Sequence, residues 1–105
     1  MIINRKSEAL VETARATRYL TQLCKHFAHE ADAHFIRVRV EYDDHHGSAD
    51  FGWVGTCTMQ AQPEGLQLRA AAGDPIRLRV IQYILADHLE RFGRRDGLHV
   101  HWRRA

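Results

Sequence analysis

The spacing of apolar residues changes along this chain, and that change limits the folds open to it. From Ala16 to Phe27 apolar side chains recur every three or four residues, the period of an amphipathic helix. Between Ile36 and Tyr42 they alternate with charged residues, the period of a strand with one buried face. A second helical pattern follows near the C-terminus. A chain that mixes both periods is expected to pack a helical layer against a sheet.

Local signals indicate where both predicted helices begin. Thr13 is a suitable N-cap for the first helix, which is predicted to run to about Ala31. The second helix has a stronger start signal, because Asp74 can cap it and Pro75 suits its first position. This helix is predicted to end at about Phe92.

Turn residues and alternation place the strands between and around these helices. Residues 8–12 are either a short edge strand, which is favoured, or the first turn of the first helix. Strands are predicted over residues 34–42, 49–62, 66–71 and 98–102. The loop DDHHGS joins two of them, and its Gly47 can supply a positive φ. Gly52 and Gly55 can introduce a bulge into the long strand. Alternation assigns to the core side Tyr42, Phe51, Trp53, Cys57, Met59, Leu98, Val100 and Trp102.

The predicted architecture is therefore an α+β two-layer sandwich in the order β-α-β-β-β-α-β. Its sheet is expected to be mainly antiparallel, with both helices on one face. The chain of 105 residues is predicted to form a single domain spanning 1–105. At this size roughly 65% of the unfolded surface is buried on folding, enough for one core.

Composition narrows the class of protein. No apolar run approaches the ~20 residues that span a membrane, so a cytoplasmic protein is expected. A net charge of +2, from 15 basic and 13 acidic residues, is too balanced to indicate nucleic-acid binding. Cys24 and Cys57 form no CxxC or zinc pattern and occupy apolar positions, which predicts buried free thiols. No cofactor is predicted.

The histidines of LCKHFAHEADAH resemble a metal motif but do not fit one. His29 and His34 are five residues apart, about 140° around a helix, so they cannot clamp one zinc ion. They are better explained as residues that interact favourably with the helix C-terminus. His26 and His29 have the spacing to share an ion, but no third ligand lies nearby in the sequence. No metal site is predicted.

His88 is unusual because it lies in the middle of the second helix's apolar stripe, beside Ile84 and Leu85. His88 is therefore predicted to be buried, neutral and hydrogen-bonded, because burying an unpaired polar ring costs several kcal/mol. Its partner is either a structural carbonyl or a group that lines a pocket, and the sequence leaves both alternatives open.

The sheet face opposite the helices is predicted to be basic. Alternation assigns to it Arg37, Arg39, Arg69, His99, His101 and Arg103. Such a surface can attract an anionic ligand, a partner protein or a phosphate backbone. Nucleic-acid binding is disfavoured, because sheet readers normally expose aromatic side chains for stacking, whereas those of this chain are assigned to the core. A homodimer packed sheet to sheet is a further alternative for this face.

Two segments, TARATRYLTQLCKHFAH and DHLERFGRRDGLHVHW, resemble the small bacterial family known as domain of unknown function 2218. The most specific pieces are RYLxxLCxHF and HLxRF. The family has no established activity, and the association of its members with siderophore-interacting flavoproteins implies a role in iron acquisition. The family's shared polar positions correspond here to Arg18, Tyr19, His26, His88 and Arg91.

These observations favour a binding or accessory module rather than an enzyme. Tyr19, His26 and His88 are expected to meet where the two helices pack side by side. Arg18 and Arg91 would lie at the rim of this cluster and hold an anionic group. The alternative is a small enzyme that uses His88 or His26 as a general base. Against that alternative, the chain has no nucleophile elbow, phosphate loop or dinucleotide fingerprint.

Overall fold

The structure, a computed structural model, describes residues 5–30 and 38–105. The helices and strands in these residues are β1 (Arg5–Glu12), α1 (Ala16–Glu30), β2 (Arg39–Tyr42), β3 (His46–Asp50), β4 (Thr56–Gln62), β5 (Gly65–Ala72), α2 (Pro75–Phe92) and β6 (Arg103–Arg104). The strands form one sheet in the order β2-β3-β4-β5-β1-β6, and every neighbouring pair is antiparallel.

Both helices cover the same face of this sheet, which confirms the α+β two-layer fold. Helix α1 lies over β2 to β5, and α2 lies over β5 and β1. The two helices and the inner face of the sheet share one apolar core. Its largest fully buried side chains include Leu20, Leu23, Leu66, Leu68, Ile81, Leu85 and Leu89. The start of α1 lies beside the end of α2, so the helices run antiparallel. Neither helix in residues 5–30 and 38–105 has the length and apolar character of a membrane span.

Helix α2 begins where the sequence predicted it. The side chain of Asp74 accepts a hydrogen bond from the backbone N–H of Arg77 at 2.8 Å, and Pro75 is the first helical residue. This cap satisfies one of the N–H groups that a helix start leaves unpaired.

The strand predicted over residues 49–62 is two strands. The chain turns through a short 3-10 segment at Gly52–Val54, where Gly52 (φ 70°) and Gly55 (φ 148°) adopt backbone conformations that other residues rarely take. The reversal pairs β3 with β4, so that Ala49 lies opposite Cys57. It also turns Trp53 out of the core, with 74% of its surface exposed, so the core assignment of Trp53 was wrong.

The predicted edge strand, β1, is instead an internal strand. It pairs with β5 along its whole length and with β6 at Ser7 and Glu8. The last strand is shorter and later than predicted, because only Arg103 and Arg104 join the sheet. The backbone N–H of Val100 donates to the carboxylate of Glu90 on α2 at 3.0 Å, rather than to a neighbouring strand.

Two further predictions concern the packing of α1 on the sheet. Cys24 and Cys57 are both free and buried, as expected. Gly47 could have supplied a positive φ, but its place in β3 does not require one. A Cβ atom at Gly47 would lie 2.8 Å from the Sγ of Cys24, so glycine is needed here for the close approach of helix to sheet. Tyr42, which pairs with Gly47 on the edge strand β2, is exposed, so its assignment to the core side was wrong.

Candidate functional site

The side chains of His26 and His88 meet across the interface between α1 and α2. Their ring centroids are 4.6 Å apart, with the rings tilted by 49°. Each residue lies on the face of its helix that turns toward the other helix, and each is half-buried. We call these two residues the histidine pair.

His88 is held by its own helix. Its Nδ1 lies 2.7 Å from the carbonyl oxygen of Ile84, one turn earlier. A carbonyl only accepts, so we assign the Nδ1–H as the donor. Of the two partners left open by the sequence, the structure therefore provides the carbonyl.

Phenylalanine rings surround the histidine pair. The ring of Phe92 lies 5.4 Å from that of His26 and 6.2 Å from that of His88, edge-on to both. Phe27 contacts both histidines at 5.8 and 5.3 Å, and packs against Phe51 at 5.2 Å. These edge-to-face distances are typical of stabilising aromatic packing. The pair is thus set in apolar surroundings.

Tyr19 does not join the histidines. Its buried ring directs its hydroxyl to Asp96, donating a hydrogen bond to Oδ2 at 2.5 Å. Arg15 Nη1 lies 3.1 Å from both oxygens of the same carboxylate. The hydrogen bond from Tyr19 and the charge of Arg15 lower the pKa of Asp96, and the same hydrogen bond raises the pKa of Tyr19.

The sequence did not indicate a role for Asp96. It belongs to a short 3-10 turn at Arg94–Asp96 that follows α2. No local pattern indicates its role, because both of its partners are on the first helix or just before it, far away in the sequence. The run GRRDG that contains it reads only as a turn.

A cleft of about 430 Å³ opens between the start of α1 and the end of α2. The described residues that line it are Arg15, Arg18, Tyr19, Gln22, Arg91, Phe92, Arg94, Arg95 and Asp96. We call it the arginine cleft, after its five described arginines. Arg18 and Arg91 belong to its lining, and Arg91 also pairs with Asp87 at 3.1 Å.

The cluster expected from the sequence is thus divided into two adjoining parts. Tyr19, Arg18 and Arg91 line the arginine cleft, whereas His26 and His88 lie one helical turn away from it. Phe92 belongs to both parts, since its side chain lines the cleft and contacts both histidine rings.

Comparison with known proteins assigns the chain to a family. A family of uncharacterized proteins conserved in bacteria, DUF2218, matches residues 8–103. This chain belongs to the DUF2218 family. The NMR structure of PA4090 from Pseudomonas aeruginosa is similar, with a TM-score of 0.73 and 30% sequence identity. The match covers 94% of this DUF2218 chain and 95% of PA4090. A comparison with curated proteins gave no significant match.

The outer sheet face of this DUF2218 chain is less uniformly basic than its arginines suggest. The Nε atoms of Arg69 and Arg103 lie 3.9 and 3.8 Å from the carboxylate of Glu8, which comes from β1 between them. A hollow of about 480 Å³ on this side has both acidic and basic lining residues, among them Glu41 and Arg69. The anion-binding role of this face stays a prediction.

The remaining candidates of that surface are scattered. Arg39 is exposed on the edge strand β2, and Arg37 lies outside the described residues. His99 and His101 are exposed in an irregular segment, with ring centroids 6.2 Å apart. Within residues 5–30 and 38–105, no group of three or more His, Cys, Asp or Glu side chains is arranged to hold a metal.

Proposed function

We propose that this chain is a binding module that holds a small anionic ligand in the arginine cleft. One observation carries the proposal: five arginines of the described chain converge on a cleft whose one described carboxylate is Asp96. That carboxylate is already engaged by Arg15 and by the hydroxyl of Tyr19. Arg91 pairs with Asp87 outside the cleft, and a bound anion would relieve the mutual repulsion of Arg18, Arg94 and Arg95.

The residue type supports this reading. A guanidinium group presents planar donors that match carboxylate and phosphate oxygens in pairs. Arg18 lies on α1, Arg91 lies on α2, and Arg94 and Arg95 follow in the turn, so a ligand would be held from both helices. A volume of about 430 Å³ falls within the usual size of small-molecule sites.

The finer part of the proposal is a link to siderophore iron, which rests on the family resemblance. Ferric chelates built from carboxylate or catecholate groups carry negative charge, and a cleft lined by arginines suits such a complex. Iron would then be cargo, ligated by the chelator rather than by the protein.

In this proposal the histidine pair has a packing role. The Nδ1 of His88 is used by the carbonyl of Ile84, and both rings contact Phe27 and Phe92. The pair would fix the distance between the helices, and thereby the width of the neighbouring cleft.

Citrate, phosphate and ferric citrate are suitable probes for NMR titration of the isotope-labelled protein at low salt. We expect saturable chemical-shift changes in the residues that line the cleft, including Arg18 and Gln22. Arg18→Ala and Arg91→Ala should each weaken binding roughly tenfold or more, as for a lost charged hydrogen bond. Arg79→Ala is the matched control, because Arg79 is exposed on α2 but does not line the cleft.

Two results separate the parts of the proposal. Absence of saturable binding for all three probes, or an equal loss in Arg79→Ala, would overturn the anion site. Equal affinity for citrate with and without iron would keep the anion site and overturn the link to iron.

A further inference from the structure

The edge strand β2 leaves one row of backbone groups without a strand neighbour in the part of the chain that the structure describes. Residue pairs in an antiparallel ladder alternate between those that exchange hydrogen bonds and those that do not. The N–H of Asp43 donates to the carbonyl of His46 at 2.8 Å, and this bond sets the phase of the alternation. Glu41 therefore bonds to β3, whereas the N–H and C=O groups of Val40 and Tyr42 point away from the sheet.

The charged side chains of β2 are available to a partner. Arg39 and Glu41 are exposed and two residues apart, so they share the outer face of the sheet. Among the described residues, neither side chain has an ion-pair partner. Asp50 lies opposite Arg39 on β3, but its carboxylate accepts a hydrogen bond from the N–H of Gly52 at 2.8 Å.

We propose that β2 pairs with the β2 strand of a second copy of the chain, antiparallel, about a two-fold axis at Val40. In this register Arg39 of each copy lies opposite Glu41 of the other. These two residues do not exchange backbone hydrogen bonds, so their Cα atoms are about 4.5 Å apart and their side chains are close. Opposite charges in facing positions stabilise a strand pair. The two copies then share one continuous sheet, with the helices of both on the same face.

The charges of β2 favour this register over its neighbours. An axis at Arg39 or at Glu41 would place that residue opposite the same residue of the other copy, with like charges in contact. An axis at Tyr42 would place Glu41 opposite Asp43, which is also acidic. A parallel pair in register would again oppose like charges. Within β2, the axis at Val40 is therefore the one that pairs each arginine with a glutamate.

The inner face of the edge is complementary as well. Val38 and Val40 pack against the core, and Tyr42 on the same side has 41% of its surface exposed. The axis at Val40 places Tyr42 of one copy beside Val38 of the other, and an aromatic side chain facing a β-branched one stabilises a strand pair. Residues 38–42 of each copy make a small interface, typical of reversible association. No described residue of β2 lines the arginine cleft, so the two sites are separate.

Sedimentation velocity of the full chain tests the proposal, at about 10 µM to about 1 mM, the range in which small interfaces dissociate. We expect a monomer–dimer equilibrium. Glu41→Arg should shift its midpoint at least tenfold toward the monomer, because both ion pairs of the dimer become repulsive. Glu64→Arg is the matched control, since it makes the same change of charge at an exposed position between β4 and β5.

An exchange of charges tests the register. Arg39→Glu alone should weaken the dimer, and combining it with Glu41→Arg should restore it, with circular dichroism verifying the fold of each variant. In a mixture of isotope-labelled and unlabelled wild-type protein at about 1 mM, we expect an intermolecular nuclear Overhauser effect between the Hα atoms of Arg39 and Glu41.

Four results would overturn the proposal. The first is a monomer at every concentration. The second is a dimer that persists in Glu41→Arg or weakens equally in Glu64→Arg. The third is a failure of the double exchange to restore association in correctly folded protein. The fourth is a dimer that lacks the intermolecular contact between Arg39 and Glu41, which would show that another surface joins the copies.

Discussion

The hydroxyl of Tyr19 and the carboxylate of Asp96, 77 positions apart in the sequence, are joined by a hydrogen bond of 2.5 Å. Arg15 contacts the same carboxylate, so three side chains connect the first turns of α1 to the turn that follows α2. The connection lies on the wall of the arginine cleft. It fixes one end of the helix pair, and the histidine pair joins the same two helices about two turns further along.

Tyr19→Phe should lower the stability of the fold. The substitution keeps the buried ring but removes the donor to Asp96, and a charged acceptor that loses a donor is costly. We expect Tm to fall by a few degrees in thermal unfolding followed by circular dichroism. Tyr83→Phe is the control, because that tyrosine is exposed on α2. Equal Tm values for the wild type and Tyr19→Phe would contradict the prediction.

The effect of Tyr19→Phe should depend on pH. The hydrogen bond from Tyr19, with the charge of Arg15, holds the pKa of Asp96 below its usual value. A carboxyl group whose pKa is depressed by folding adds stability above its unfolded pKa of about 3.9, and that stability is lost as the pH falls through the folded pKa. Urea midpoints of the two proteins should therefore differ at pH 6 and converge toward pH 3. A difference that stays constant would exclude this linkage.

His26 and His88 should be energetically coupled. A double-mutant cycle with His26→Ala and His88→Ala measures their interaction, and aromatic ring pairs contribute about 0.5–1.5 kcal/mol. Urea unfolding of the four proteins gives the coupling energy. His29 is exposed on α1, so a cycle between His29→Ala and His88→Ala should be additive. Additivity in both cycles would show that the ring contact contributes nothing.

Gly47→Ala should destabilise the contact between α1 and β3. The new Cβ would lie 2.8 Å from the Sγ of Cys24, and overpacking of this kind costs about 1–3 kcal/mol. Removing the sulfur should relieve the clash, so adding Cys24→Ala to Gly47→Ala should cost less than the sum of the single changes. Gly73→Ala is the control, because its Cβ meets only Arg77 Nη1 at 3.7 Å. The midpoints of urea unfolding of the wild type and of each variant measure these differences in stability.

Both cysteine thiols should resist alkylation in the folded protein. Burial raises the pKa of Cys24 to about 11 and raises the pKa of Cys57 further still, so little thiolate forms near neutral pH. A thiol whose pKa is raised by folding contributes stability that is fully present below its pKa in the unfolded chain. That stability is lost as the pH rises through its pKa in the folded protein. Mass spectrometry after iodoacetamide at pH 8 should find no adduct without urea and two adducts in urea. An exposed Thr58→Cys thiol should react under both conditions.

The sequence predicted the parts of this fold that depend on neighbours in the chain. The start of α2 follows from Asp74 and Pro75, and the buried faces of both helices follow from apolar spacing. The contact of His26 with His88 was expected only because both helices were placed on one face. The helix start and the helix faces depend on residues close together in the sequence, and the histidine contact depends on the packing of both helices on one face of the sheet.

The errors concern features that depend on distant partners or on backbone reversal. Alternation continued across Gly52 and Gly55, so it could not reveal that the chain turns there and exposes Trp53. The internal position of β1 depends on which strands pair with it, and its own residues do not encode that choice. The carboxylate that receives the hydroxyl of Tyr19 was missed for the same reason.

The pairing of β1 with β5 also bears on how the chain acquires its structure. Arg5 is matched with Ala72, and Glu12 with Gly65, so the first strand has no sheet neighbour until the residues of β5 have been synthesised. Closing so long a loop lowers the entropy of the chain before the stabilising contacts between the two strands form. Folding is therefore slower than that of a helical bundle, whose contacts are local in the sequence. On the ribosome, α1 would emerge well before the sheet that must cover its apolar side, a stage at which binding by a chaperone would be favourable.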